Sequence, residues 1–193
     1  MGPRDFDAEA LARAEFDGWV GYYRHEWGKV LAASVRMVRH GFGMSWPKTL
    51  QGAWYVLRAN QLWAPYPDND PAGARTHMRR FYELVVRDGQ MSFDPVQASE
   101  LEVEWWRVHR LHQREDAGGE DALTQALVDL YSYVYAVEAT SVHDAALHRV
   151  IAMRHSDAWV AAGCERTDPL LADELDELRQ SYWALREAVR IRA

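Results

Sequence analysis

Cysteine is almost missing from this sequence: one residue of 193, Cys164. A lone thiol forms no intrachain disulfide and cannot supply a cysteine zinc cluster, and such usage fits a reducing, cytoplasmic compartment. Cys164 follows Gly163 at an expected helix end. An inert thiol is the simpler reading there, a nucleophile the sharper one. Long apolar runs are missing too. No stretch approaches the roughly 18 residues of a membrane span, so no membrane association is expected. The segment from Met1 to Asp7 has no apolar stretch behind it, which argues against a secretory leader. Pro3 after Gly2, with no Ser or Thr at position six, argues against myristoylation.

Linear catalytic motifs are equally scarce. The chain has no glycine-rich phosphate loop, dinucleotide fingerprint or nucleophile elbow. No Glu carries a His three residues on, as helical di-iron centres require. The adjacent His25 and Glu26 do not make a zincin motif, because no second His lies four residues away. Enzymes announced by motif are thereby excluded, although an active site needs no linear motif. A net charge of −7 argues against nucleic acid, which calls for a basic face. Arg75, Arg79 and Arg80 read as an ordinary solvated helix surface.

What the chain does have is bulk. Hydrophobic residues make up 48% and charged residues 26%, the balance of a globular chain, so residues 1–193 are expected to form one domain. Nine Trp, nine Tyr and five Phe predict an aromatic core or an aromatic-lined pocket.

Punctuation divides the chain into helices. Asp70-Pro71, Asp94-Pro95 and Asp168-Pro169 each set a capping carboxylate before a proline suited to the first helical position. Pro47 opens a further helix, and Ser141 with Asp144 resembles a capping box. Gly41, Gly43, Gly89, Gly118, Gly119 and Gly163 stand where helices should stop. The expected helices run over 6–17, 18–40, 47–62, 71–87, 95–116, 120–139, 142–162 and 169–191, with the first two allowed to be continuous. No alternating strand pattern appears. The fold class is therefore all-α, a single compact bundle of seven to eight helices with an aromatic-rich core.

Leu171, Leu175, Leu178, Tyr182, Leu185 and Val189 form a continuous seam on the last helix, for packing within the chain or for a homodimer through 169–191. Leu50, Trp54, Leu57 and Gln61 form another stripe, as do Ala74, Met78, Phe81, Tyr82 and Val85. The connector from Trp63 to Asp70 holds two prolines between its rings and reads as extended, pinned to the bundle or forming a pocket lip.

Functional candidates are polar residues on apolar helix faces. Glu26 falls among Trp19, Tyr23 and Val30; His112 among Leu101, Trp105 and Val108, with His109 at the edge near Glu102; Glu138 beside Val134 and Tyr131. A buried carboxylate must be paired, hydrogen-bonded or bound to a metal. Glu26, His112 and Glu138, with Glu102 or His109, are thus candidate ligands for a metal ion between helices, the only cofactor the sequence suggests. Singly, each has a plainer role: Glu26 paired with an arginine such as Arg58, His112 bonded to a tyrosine, Glu138 reaching water. Asp144, His148, His155 and Trp159 share a side of the next helix, but the two histidines lie too far apart along its axis to ligate one ion. Arg107, Arg110 and Arg114 make the helix around Trp106 basic, suited to an acidic partner, an anionic ligand or plain solvation.

Three readings of function remain: a module that binds a protein or small apolar ligand, a metal-dependent oxidase or hydrolase using Glu26, Glu138 and His112, and a structural homodimer.

Overall fold

The computed structural model describes residues 2–88, 91–115 and 119–190. These residues form eight helices and no strand: α1 (Ala8–Tyr23), α2 (Trp27–Phe42), α3 (Trp46–Trp63), α4 (Pro71–Arg87), α5 (Pro95–Glu115), α6 (Gly119–Tyr135), α7 (Ala139–Ala161) and α8 (Leu170–Val189). The fold is all-α.

The capping carboxylates act as the sequence implies at α4 and α5, while at α8 the N-cap residue is Pro169, one residue later than expected. Asp70 accepts from the Gly73 N–H at 2.8 Å with Pro71 at the first helical position. Asp94 and Asp168 each accept from the N–H two residues on, at 2.9 Å. Gly43 ends α2 in the left-handed conformation that a side chain would resist. Gly89 and Gly118 lie outside the described residues.

Two boundaries differ from expectation. The first break falls not at 17/18 but at residues 24–26, where His25 turns left-handed and the Glu26 N–H returns to the Gly21 carbonyl at 2.8 Å. Gly18 sits inside α1. The sixth helix ends at Tyr135 rather than at 139: Ala136 is left-handed, and the Val137 N–H closes on the Ser132 carbonyl at 3.2 Å. Glu138 therefore becomes the N-cap residue of α7. Ser141 is not a cap but a first-turn residue whose hydroxyl donates to the Glu138 carbonyl at 2.6 Å.

The packing order explains the shape. Each helix packs on the next in sequence, and α8 returns to pack on α1. Eight helices thus close a ring around a common interior, which their apolar faces fill. Four of the six seam residues of α8, Leu178, Tyr182, Leu185 and Val189, are buried within the ring's own core cluster. Leu171 joins Val20 of α1 and the fully buried Trp159 of α7 in a smaller cluster. Most of this seam is used for packing within the chain. The α3 stripe differs from expectation: Leu57 is buried, but Leu50 and Trp54 are exposed.

Candidate functional site: an aromatic cavity inside the helical ring

The closed ring holds a cavity of about 450 Å³ to which all eight helices contribute side chains. That is the size of a small-molecule site, and the walls are more apolar than polar, with many aromatic rings. Trp19, Tyr23, Phe42, Trp63, Phe81 and Trp106 supply much of the wall.

Two polar clusters interrupt it. In the first, Arg149 of α7 donates through Nη2 to the Glu15 carboxylate of α1 and through Nη1 to the Tyr131 hydroxyl at 2.7 Å. Its guanidinium carbon lies 4.9 Å from the Trp105 ring centroid. Burial opposes the charge of Arg149, but Glu15 and the surrounding acidic groups outweigh it and hold the guanidinium above its ordinary value. Arg149 Nε and Glu15 Oε2 are buried without a hydrogen-bond partner, a donor and an acceptor left over. Close by, the Tyr82 hydroxyl donates to Glu102 at 2.7 Å and the Trp106 indole N–H donates to the same carboxylate at 3.2 Å. Burial raises the Glu102 carboxyl above the usual range, against the pull of these donors. Burial and then the Glu102 charge raise Tyr82 well above its ordinary value.

The second cluster lies where the exposed lining residues His25 and Arg114 mark the cavity's open end. Arg110 donates through Nη2 to the Tyr22 hydroxyl at 3.0 Å, and its guanidinium carbon lies 4.9 Å from the Trp63 ring and 5.6 Å from that of Tyr66. Arg114 sits 5.5 Å from the Tyr66 ring. Trp63 and Tyr66 thus each hold a cation over the ring face, and Trp63 lines the cavity. Among the described residues neither Arg110 nor Arg114 has a carboxylate partner, and Arg110 Nη1 is buried without a hydrogen-bond partner. Arg107, the third arginine of this helix, is instead held by Glu104 at 2.7 Å.

No known family, curated protein or solved structure matches this chain.

The five metal-ligand candidates do not meet. Glu26 lies at the surface, where Arg166, Lys29 and Arg24 surround it, and its partner is Arg166 rather than Arg58. Arg166 and Lys29 pull its carboxyl down to about 2. Glu138 is exposed at the start of α7. Glu102 and His109 both line the cavity. They lie two turns apart on α5, roughly 10 Å along its axis, and His109 is taken by Asp157 at 3.1 Å. His112 is partly buried, with Nδ1 unpartnered, and is not part of the cavity wall. Among the described residues no three His, Cys, Asp or Glu are placed to hold a metal ion. The common interior inferred for Glu26 and Glu138 fails for a local reason: each caps a helix at a break that lies several residues from where periodicity alone puts it.

Three buried charged groups were missed. Glu15 follows Leu11 and precedes Trp19 in a four-residue row, and Arg149 stands between Ala146 and Met153 on the apolar side of α7. Glu174 lies within the α8 seam between Leu171 and Leu178. Each was visible as a polar residue inside an apolar row. Glu174 is fully buried, and burial together with the nearby charges of Glu15 and Asp157 pushes it up to about 8, against the pull of Ser156.

Proposed function

We propose that this protein binds a small amphipathic anion, with the apolar body inside the aromatic cavity and an acidic head on Arg110 and Arg114. The reading rests on one observation: near the cavity's open end Arg110, stacked on Trp63 and donating to Tyr22, has no carboxylate beside it among the described residues. In a chain of net charge −7 acidic side chains are plentiful, and the half-buried Arg149, Arg179 and Arg186 each have one. A guanidinium left free at a pocket mouth suits a carboxylate, sulfonate or phosphate, which it grips with paired N–H donors. The aromatic wall favours a flat or flexible hydrocarbon body.

The test uses 8-anilinonaphthalene-1-sulfonate, an apolar aromatic anion that fluoresces when removed from water. The folded protein is expected to bind it at one saturable site, and aromatic and long-chain carboxylates should displace it while their uncharged amides do not. Absence of saturable binding, or equal displacement by acids and amides, rules the reading out.

A further inference from the structure

Residues 27–67 contain no Asp or Glu, although the chain as a whole carries −7. This acid-free stretch spans α2, α3 and part of the connector. On α3 it presents Trp46 at 59%, Leu50 at 55% and Trp54 at 52% exposure. Spaced four residues apart, the three stand on one outward ridge about 12 Å long. Single exposed apolar residues are common, but two indoles and a leucine in one row are not.

Cations bracket the ridge. Arg39 lies over the Trp46 ring at 5.3 Å. Arg58 is the next residue of the same four-residue row. His77 of α4 is held below its ordinary value by burial and then by the charges of Arg80 and Arg58. Lys29, Arg36 and Lys48 are paired with Glu26, Asp17 and Asp88. Arg39 and Arg58 have no carboxylate partner among the described residues.

We infer that the α3 ridge docks on an anionic lipid surface, with Trp46, Leu50 and Trp54 entering the headgroup region and Arg39 and Arg58 meeting lipid phosphates. Indoles settle at the membrane–water interface, and basic groups beside them add attraction to acidic lipids. The ridge exposes on the order of 400 Å², about half of what each partner gives a standard protein interface. Charge points the same way: α2 and α3 carry no acidic side chain of their own, and the neighbouring Glu26, Asp17 and Asp88 are each neutralised by a Lys or Arg of this stretch. No helix of the described residues is long and apolar enough to cross a membrane. The sequence-based expectation of no membrane rested on that kind of absence, and surface docking needs no spanning helix.

The full chain is sedimented with vesicles of phosphatidylcholine alone and of phosphatidylcholine mixed with phosphatidylglycerol. It should partition onto the mixed vesicles and much less onto the neutral ones. Trp46→Ala/Trp54→Ala, both at exposed sites, should keep the parent's circular dichroism and lose roughly tenfold or more in partitioning. Arg39→Gln/Arg58→Gln should lose affinity for the mixed vesicles only. Trp183→Ala, an exposed indole on α8, should behave as the parent. The inference is overturned if neither vesicle binds. It is also overturned if Trp46→Ala/Trp54→Ala partitions like the parent, since binding by charge alone is open to any polyanion. A dimer in sedimentation velocity that this double variant abolishes, with no vesicle binding, would assign the ridge to a second copy of the chain instead.

Discussion

Arg149 and Glu15 meet inside the helical ring, 134 residues apart in sequence, and join α7 to α1 through a buried ion pair. Removing one partner from such a pair leaves a charge in a low-dielectric interior, which costs about 3–5 kcal/mol. Glu15→Ala is expected to destabilise the fold by that amount in urea unfolding. The double variant Glu15→Leu/Arg149→Met should be less destabilised than the sum of its single changes, because it abandons no charge. Strict additivity would mean that the two groups are not coupled.

Glu174 gives the protein a pH dependence of defined sign. Its folded value of about 8 lies above the ordinary 4.5, so the folded state holds the proton more tightly. That contribution is complete below the ordinary value and is lost as pH rises from 4.5 toward 8. Glu174→Gln keeps the neutral form at every pH. Relative to the parent it should gain stability steadily between pH 5 and 8, on the order of a few kcal/mol in total, with no further gain above. Parallel curves for parent and variant across this range would refute the assignment.

Glycine inside a helix carries an entropic cost, and Gly18 lies within α1. A methyl group placed there would meet the Ala33 Cβ at 3.5 Å, an ordinary contact. Gly18→Ala is expected to stabilise the fold by about 0.5–1 kcal/mol. Loss of stability would show that α1 and α2 approach more closely than this contact allows.

Gly18 also marks where sequence reading stopped. Caps at Asp70, Asp94 and Asp168 act on the nearest N–H groups, so they announce α4, α5 and α8 locally. The breaks after Tyr23 and Tyr135 depend on His25 and Ala136 adopting left-handed backbone, which histidine favours only weakly and alanine not at all. Missing those breaks turned Glu26 and Glu138 inward on paper, when each caps a helix at the surface. The cavity was legible only as aromatic content and as the basic run Arg107, Arg110 and Arg114. Which of these faces the interior is decided by the return of α8 onto α1, a pairing between the ends of the chain that no local pattern records. Arg149 and Glu15 were legible as residues out of place, not as partners, for the same reason.

If Arg110 holds an acidic head, its planarity should matter as well as its charge. The guanidinium lies 4.9 Å from the Trp63 ring and 5.6 Å from that of Tyr66, and it donates to Tyr22, so three rings fix its plane before any ligand arrives. Lysine keeps the charge but has no flat face to stack and no paired donors to present. Arg110→Gln is expected to weaken binding of 8-anilinonaphthalene-1-sulfonate by about tenfold or more, the loss of one charge-assisted contact. Arg110→Lys should recover only part of that loss, and its affinity should fall more steeply with added salt, because an unstacked ammonium acts as a screened point charge. Full recovery by lysine would show that net positive charge at the mouth is sufficient and that stacking on Trp63 serves the fold alone. An unchanged affinity in Arg110→Gln would move the anion's contact away from this arginine, leaving Arg114 and Arg149 as the cations along the cavity wall.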